Sequence, residues 1–386
     1  MTAQRPRPEG QARETDHEPN TLVSTTLFLC GDVMLGRGID QILAHPSAPA
    51  LDEPFVADAR DYVRLAESAN GPIPRGADDA YVWGVALEEL ARRRPDARLV
   101  NLETSITRSD AAEPKGINYR MHPANAGALS AAGIDCAVLA NNHVLDWGRA
   151  GLDETLAELA ARGIRTAGAG ATADAAESPA LLTLRDGTRL LVVGVGGPDC
   201  GIPASWRATD DESGVFRLDD YSTSSVDRVV RAIARERREG DLVVVSIHWG
   251  GNWGDDVPDA HRRFARALID RAGVALVHGH SSHHPRGIEL YRASPILYGC
   301  GDFLNDYEGI GDREGYRSDL TFMYFATVGA GRDRPPRLEL VPLQLRRFRL
   351  ERPSTPDREW LLATMARACR RLGTKVDTAN GVLVPT

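Results

Sequence analysis

Short apolar runs of strand length alternate along this chain with stretches whose apolar residues recur at helical spacing. Residues 25–30 (TTLFLC) form a β-rich run that ends at Gly31-Asp32. Further strand-like runs lie at 98–102, 135–140, 164–167, 241–247 (DLVVVSI), 274–277, 287–291, 295–298 and 320–328, with a strand-like stretch over 337–350. Helical spacing covers 79–93, 124–132, 151–162, 226–238, 258–272 and 355–372, with Pro258 opening one of these helices. Asp186-Gly187, between apolar runs at 181–184 and 189–195, signals a tight hairpin.

Strands separated by helices imply parallel pairing, and the later hairpins add antiparallel strands. The expected fold is therefore a mixed α/β sandwich, two sheets with helices outside. One domain is expected over residues 22–350, with a C-terminal helical extension at 351–386. Residues 1–21 are polar and rich in Pro, Glu and Arg, and read as a disordered tail.

Composition narrows the function. A net charge of -8, from 46 basic and 54 acidic residues, argues against a nucleic-acid partner. No apolar run reaches membrane-spanning length, and no apolar segment follows the basic residues near the N-terminus. A cytoplasmic location is expected. The five cysteines are far apart, form no CxxC pair, and read as buried structural thiols. Lys115 and Lys375 are the only lysines; the other basic residues are arginine.

The candidate chemistry lies at the ends of the strands. Asp32, Glu103, Asn142-His143, His248 and His278/His280 each follow or close a predicted strand. In α/β sheets that edge collects ligands, because the loops converge there. Taken singly, each of these residues is an ordinary turn, cap or loop residue. Five strand ends carrying such groups together point to a metal site, and the N/O donor set suits Zn, Mn, Fe or Ca. His261, in a helix with Arg262, Arg263 and Arg266, is expected on a solvated face. Trp206, Trp249 and Trp253 would either wall the site or fill the core.

GDVMLGR (31–37), NLE (101–103), NNH (141–143), SIHWG (246–250), HGHSSHHP (278–285) and YGCGDF (298–303) occur in this order. Together they resemble the CapA family of poly-γ-glutamate capsule synthesis, which is similar to the calcineurin-like metallophosphoesterases. The resemblance implies a calcineurin-like αββα sandwich of two mixed sheets flanked by helices. It also implies departures. Met34 stands where the phosphoesterase pattern has a His, Glu103 replaces a bridging Asp, and Ser281 and Ser282 follow Gly279-His280 where Gly-His-x-His is usual. One metal position (Glu103, Asn142, His248 and His280) is thus retained, with Asp32 and His278 also in the candidate ligand set. About one divalent ion (Ca, Mn or Zn) per chain is expected.

A degraded two-metal motif and the lack of an anchor segment direct the expectation to the CapA-like peptide epimerases of lasso-peptide biosynthesis. The expected activity is metal-dependent inversion of a Cα centre in a peptide substrate. The expected proton carriers are His143 with Asp146, three residues on, and His283 with Asp302, although the sequence does not decide which His meets which Asp. The alternatives are a CapA-type metallophosphoesterase or hydrolase, and a poly-γ-glutamate synthesis component that binds acidic polymer. No nucleic-acid or membrane partner is expected.

Overall fold

The computed structural model describes residues 24–311, 315–329, 336–377 and 384–385; the tail expected over 1–21 lies outside them. Two sheets pack face to face. The first runs Arg349–Glu351, Arg337–Arg346, Leu320–Gly329, Ser24–Val33, Ala97–Leu102, Cys136–Val138, Arg165–Ala167, and Asp302–Leu304 pairs beside the C-terminal half of Ser24–Val33. The second runs Ile288–Tyr291, Ser294–Leu297, Leu276–His280, Leu242–His248, Arg189–Gly196, Ala180–Thr183. Both are mixed, with parallel strands at their centres.

The side-chain period of two explains the layering. Leu27 and Leu29 join Leu190, Val192, Leu242 and Val244 in the core between the sheets. Their neighbours Phe28 and Cys30 face out under the helices that include Arg60–Asn70, Ala86–Arg93 and Gly148–Ala161. Leu191, Val193, Val243 and Val245 face out under Thr223–Glu236 and Asp259–Ala272. The central strands, such as Ser24–Val33, Arg189–Gly196 and Leu242–His248, are buried on both faces and so read as continuous apolar runs. This is the calcineurin-like αββα arrangement. Helix Thr355–Arg371 adds Leu361, Leu362, Met365 and Cys369 to the inter-sheet core. All five cysteines are buried and unpaired.

Several elements differ from the sequence pattern, helix Arg37–Ile42 and strand Asp302–Leu304 among them. The helix expected over 79–93 begins only at Ala86, after a short turn at Tyr81–Trp83. Gly84 interrupts it at φ +44°, where a Cβ would meet the Leu350 carbonyl at 2.1 Å. The strand expected over 337–350 folds back on itself, because Arg347 and Phe348 both take positive φ and join Arg337–Arg346 to Arg349–Glu351. Helix Arg60–Asn70 went unread, since it buries only Tyr62, Val63 and Ala66.

One close approach sets up the chemistry. A Cβ on Gly31 would lie 1.7 Å from the Gly301 carbonyl. Two glycines, the second at φ +77°, let the strands touch there, and Asp302 comes into register beside Asp32.

Candidate metal centre

The C-terminal edges of the two sheets meet, and they carry opposite chemistry. The first sheet supplies a row of carboxylates from three neighbouring strands: Glu103 after Ala97–Leu102, Asp32 on Ser24–Val33, and Asp302 on the strand beside it. All three are buried. Asn101 Nδ2 donates to Asp32 Oδ1 (2.8 Å) and Glu103 Oε2 (3.0 Å), and Asn141 Nδ2 donates to Asn101 Oδ1 (3.0 Å). The asparagines of NLE and NNH thus hold the row in place. Burial and the Asp302 charge raise the Asp32 pKa to about 7, while burial and Asp32 push Glu103 well up.

The second sheet supplies imidazoles. Leu242–His248 and Leu276–His280 run parallel with His248 opposite His280 and Ser246 opposite His278. Period two points all four inward. Their partners assign the tautomers. The Cys30 carbonyl can only accept, so His278 donates from Nε2 (2.8 Å) and accepts at Nδ1 from Ser246 Oγ (2.9 Å). Ser246 Oγ then accepts from His280 Nε2 (2.9 Å), leaving His280 Nδ1 a bare lone pair. His248 Nε2 donates to Asn142 Oδ1 (2.8 Å), leaving His248 Nδ1 bare as well.

These two bare nitrogens lie 2.8 Å apart, with Asp32 Oδ1 4.0 Å from His280 Nδ1. With these tautomers, two buried lone pairs and a carboxylate face one another, an arrangement that can accept a cation. A proton is a poor one, since burial drives the proton affinity of both rings well below that of free imidazole. A divalent ion fits. Asp32, His248 and His280 form the group of potential ligand atoms found among the described residues, and borderline metals suit that N/O set.

Other expected ligands stand elsewhere. His278 lies two residues back along its strand, with both nitrogens bonded to protein, so it positions His280 through Ser246 and stands outside the Asp32–His248–His280 group. Asn142 spends its amide oxygen on His248. At the departures from the phosphoesterase pattern, the Met34 Sδ accepts the Tyr307 hydroxyl (3.6 Å), and the Ser282 Oγ donates to the His284 carbonyl (2.9 Å). Ser281 holds φ +99° beside His280 and donates its N–H to Asp32 Oδ2 (3.2 Å), strain that fixes the two edges against each other.

A His–Asp pair ends each side of the carboxylate row. His143 Nδ1 lies 2.7 Å from Asp146 Oδ2, and its Nε2 lies 3.9 Å from Glu103 Oε1. His283 Nδ1 lies 2.9 Å from Asp302 Oδ1. The sequence left the pairing open, and the structure forms these two. Burial is the largest single influence on both rings; it carries His143 down to about 4, whereas at His283 the Asp302 charge, the Asp302 hydrogen bond and the Asp32 charge together outweigh it and raise the ring.

The sequence also missed Lys115. Its ammonium donates to Asp146 Oδ1 (2.6 Å) and to the Asn142 carbonyl, and lies over the Trp206 ring. His261 is buried against expectation: it stacks on Trp249 with ring centroids 4.7 Å apart, and its Nε2 lies 2.9 Å from Asp199 Oδ2. The aliphatic faces of its helix, hidden among arginines, turn inward there. Trp249 is core, while Trp253 packs on His283 and His284. A cavity of about 330 Å³, lined by Gly240, Leu242, Val274 and Ser294, lies at the opposite strand ends, remote from these groups.

No helix among the described residues is long and apolar enough to cross a membrane. The chain is 47% identical over 355 residues, 92% of its length and 93% of the relative's, to a probable polyglutamine synthesis accessory protein of Mycobacterium tuberculosis. It is 25% identical over 320 residues to the PGA biosynthesis protein CapA of Bacillus subtilis, covering 82% of this chain and 70% of that one. It is 24% identical over 285 residues to the capsule biosynthesis protein CapA of Bacillus anthracis, covering 73% and 60%. Residues 26–307 match the model of the bacterial capsule synthesis protein family PGA_cap, and with it the carboxylate row, both imidazole ligands and both His–Asp pairs fall inside the matched span; the chain belongs to that family.

Proposed function

We propose that this chain is a metal-dependent enzyme that cleaves or transfers backbone amides in a glutamate- or glutamine-based polymer during its synthesis. The observation that carries the reading is the group of potential metal ligands, Asp32, His248 and His280, flanked by two His–Asp pairs. The polymer is taken from the names of the relatives, two of them CapA proteins and one a polyglutamine synthesis accessory protein. Asp32, His248 and His280 would hold the ion, which when bound polarises a carbonyl oxygen and offsets the buried carboxylates. His143, steadied by Asp146, takes a proton from the attacking nucleophile through Nε2. His283, held by Asp302, returns a proton to the departing amide nitrogen as the C–N bond breaks. Each His contribution is worth roughly 10²–10⁴ in rate.

The same two pairs favour a second reading, Cα epimerisation, in which one His removes the α-proton and the other delivers one to the opposite face. The PGA_cap match and the relatives' names support the polymer reading over an epimerase of ribosomal peptides. A phosphoesterase is less well supported, because Met34 and Ser282 stand at two ligand positions of the second metal and bond elsewhere.

One incubation separates these readings: poly-γ-glutamate and polyglutamine, with Zn or Mn, in D₂O. Chain shortening or transfer without deuterium at Cα is the expected result. Deuterium at Cα with unchanged chain length would establish the epimerase instead, and neither change would overturn both.

A further inference from the structure

We propose that Lys115 is a positioning residue for His143, fixing which ring nitrogen faces the carboxylate row. The reaction assigned to His143 rests on the reading above; the geometry does not.

Lys115 is one of two lysines in a chain whose other basic residues are arginine. A guanidinium directs its donors within one plane, whereas an ammonium directs three apart from a point. At 115 the acceptors lie in different directions. Nζ donates to Asp146 Oδ1 at 2.6 Å and to the Asn142 carbonyl, and passes 3.3 Å from His143 Nδ1 without a bond while that nitrogen carries its proton.

Asp146 is fully buried and held from three sides. Its Oδ2 takes the Tyr119 N–H at 2.6 Å and faces His143 Nδ1 at 2.7 Å, while Oδ1 takes Lys115. A carboxylate clamped this way keeps the His143 proton on Nδ1 and turns Nε2 toward Glu103, 3.9 Å away. The edge of Tyr119 against the ring, with centroids 4.6 Å apart, limits its rotation. Without the ammonium, Oδ1 is a buried acceptor that has lost its side-chain donor, and only the two Oδ2 contacts still hold the carboxylate. The second Lys115 contact adds reach. The Asn142 carbonyl belongs to the residue whose side chain holds His248, so one ammonium ties the His143 pair to the imidazole edge.

The side chain is 23% exposed, which makes a direct contact with substrate the competing role. Two readouts separate them in full-length, zinc-loaded protein: the ring-nitrogen signals of His143 by NMR with ¹⁵N-histidine, and kcat and KM on the polymer. Lys115→Met is expected to lose the single Nδ1–H form of His143. It should lower kcat at least tenfold and leave KM within about threefold, with bound zinc unchanged. Lys115→Arg is expected to fall between, because it keeps the charge and loses the point geometry. If Lys115→Met does not fold, Lys115→Arg carries the test, with kcat at least threefold down at unchanged KM. Wild-type His143 signals in the folded variant, or a loss confined to KM, would overturn the proposal. If the wild-type protein turns over no polymer, the functional reading fails, and the NMR signals still decide the role of Lys115.

Discussion

The two His–Asp pairs are alike in composition and opposite in setting. His143–Asp146 is balanced by an ammonium and a backbone N–H, and burial holds its ring neutral. His283–Asp302 has no such cation in contact among the bonds described. Asp302 receives a weak bond from Asn305 (3.3 Å) and lies in register with Asp32, and His283 is pulled toward the charged form. One pair suits proton removal and the other proton delivery. Under the proposed chemistry, identical side chains would take different roles because the Asp of one pair is bonded by a lysine and that of the other stands in register with Asp32.

The comparison breaks most completely if the ion is lost. His280→Ala removes one of two facing lone pairs, so metal affinity should fall at least 100-fold and turnover should vanish while the chain stays folded; titration calorimetry and near-UV circular dichroism check both parts. Next, His143→Ala and His283→Ala should each lose about 10²–10⁴ in kcat while retaining the metal; an alanine variant with normal turnover would remove that pair from the chemistry.

Metal-free stability sharpens the contrast between the two edges. His278 is buried with its pKa lowered to about 4, below the usual imidazole value of 6.5. Its unfolded form binds the proton more readily, so its contribution is complete above about pH 6.5 and is lost as pH falls toward 4. Asp32, raised to about 7, works the other way: ionisation disfavours the fold as pH rises from about 4 to 7. Asp32→Asn should therefore stabilise the metal-free protein at pH 8 relative to wild type, and not at pH 4. Urea midpoints at the two pH values, with metal stripped, would show it. The smallest effect is expected from Tyr307→Phe. The Tyr119–Tyr307 hydroxyl bond, 2.9 Å long, joins residues that pack edge-on against His143 and His283. Its loss should cost about 1 kcal/mol or less and a few-fold in kcat.

The sandwich was legible in the sequence because its strands are buried on both faces and alternate with amphipathic helices. Asp32, Glu103, His248 and His280 were legible because each closes a strand or follows one. Register was not. Pairing Ser246 with His278 makes the latter a relay to the Cys30 carbonyl, and no single-strand pattern reveals a partner on the opposite sheet. Lys115 sits in an irregular loop and meets Asp146 only through the fold, so composition was the one available signal. His261 was misread because flanking arginines mimic a solvated face.

The most direct test is metal content by elemental mass spectrometry on untagged protein, wild type beside His280→Ala and His283→Ala. The account predicts one divalent transition metal per chain in wild type and in His283→Ala, and almost none in His280→Ala. No metal in the wild type, two per chain, or full occupancy in His280→Ala would contradict it.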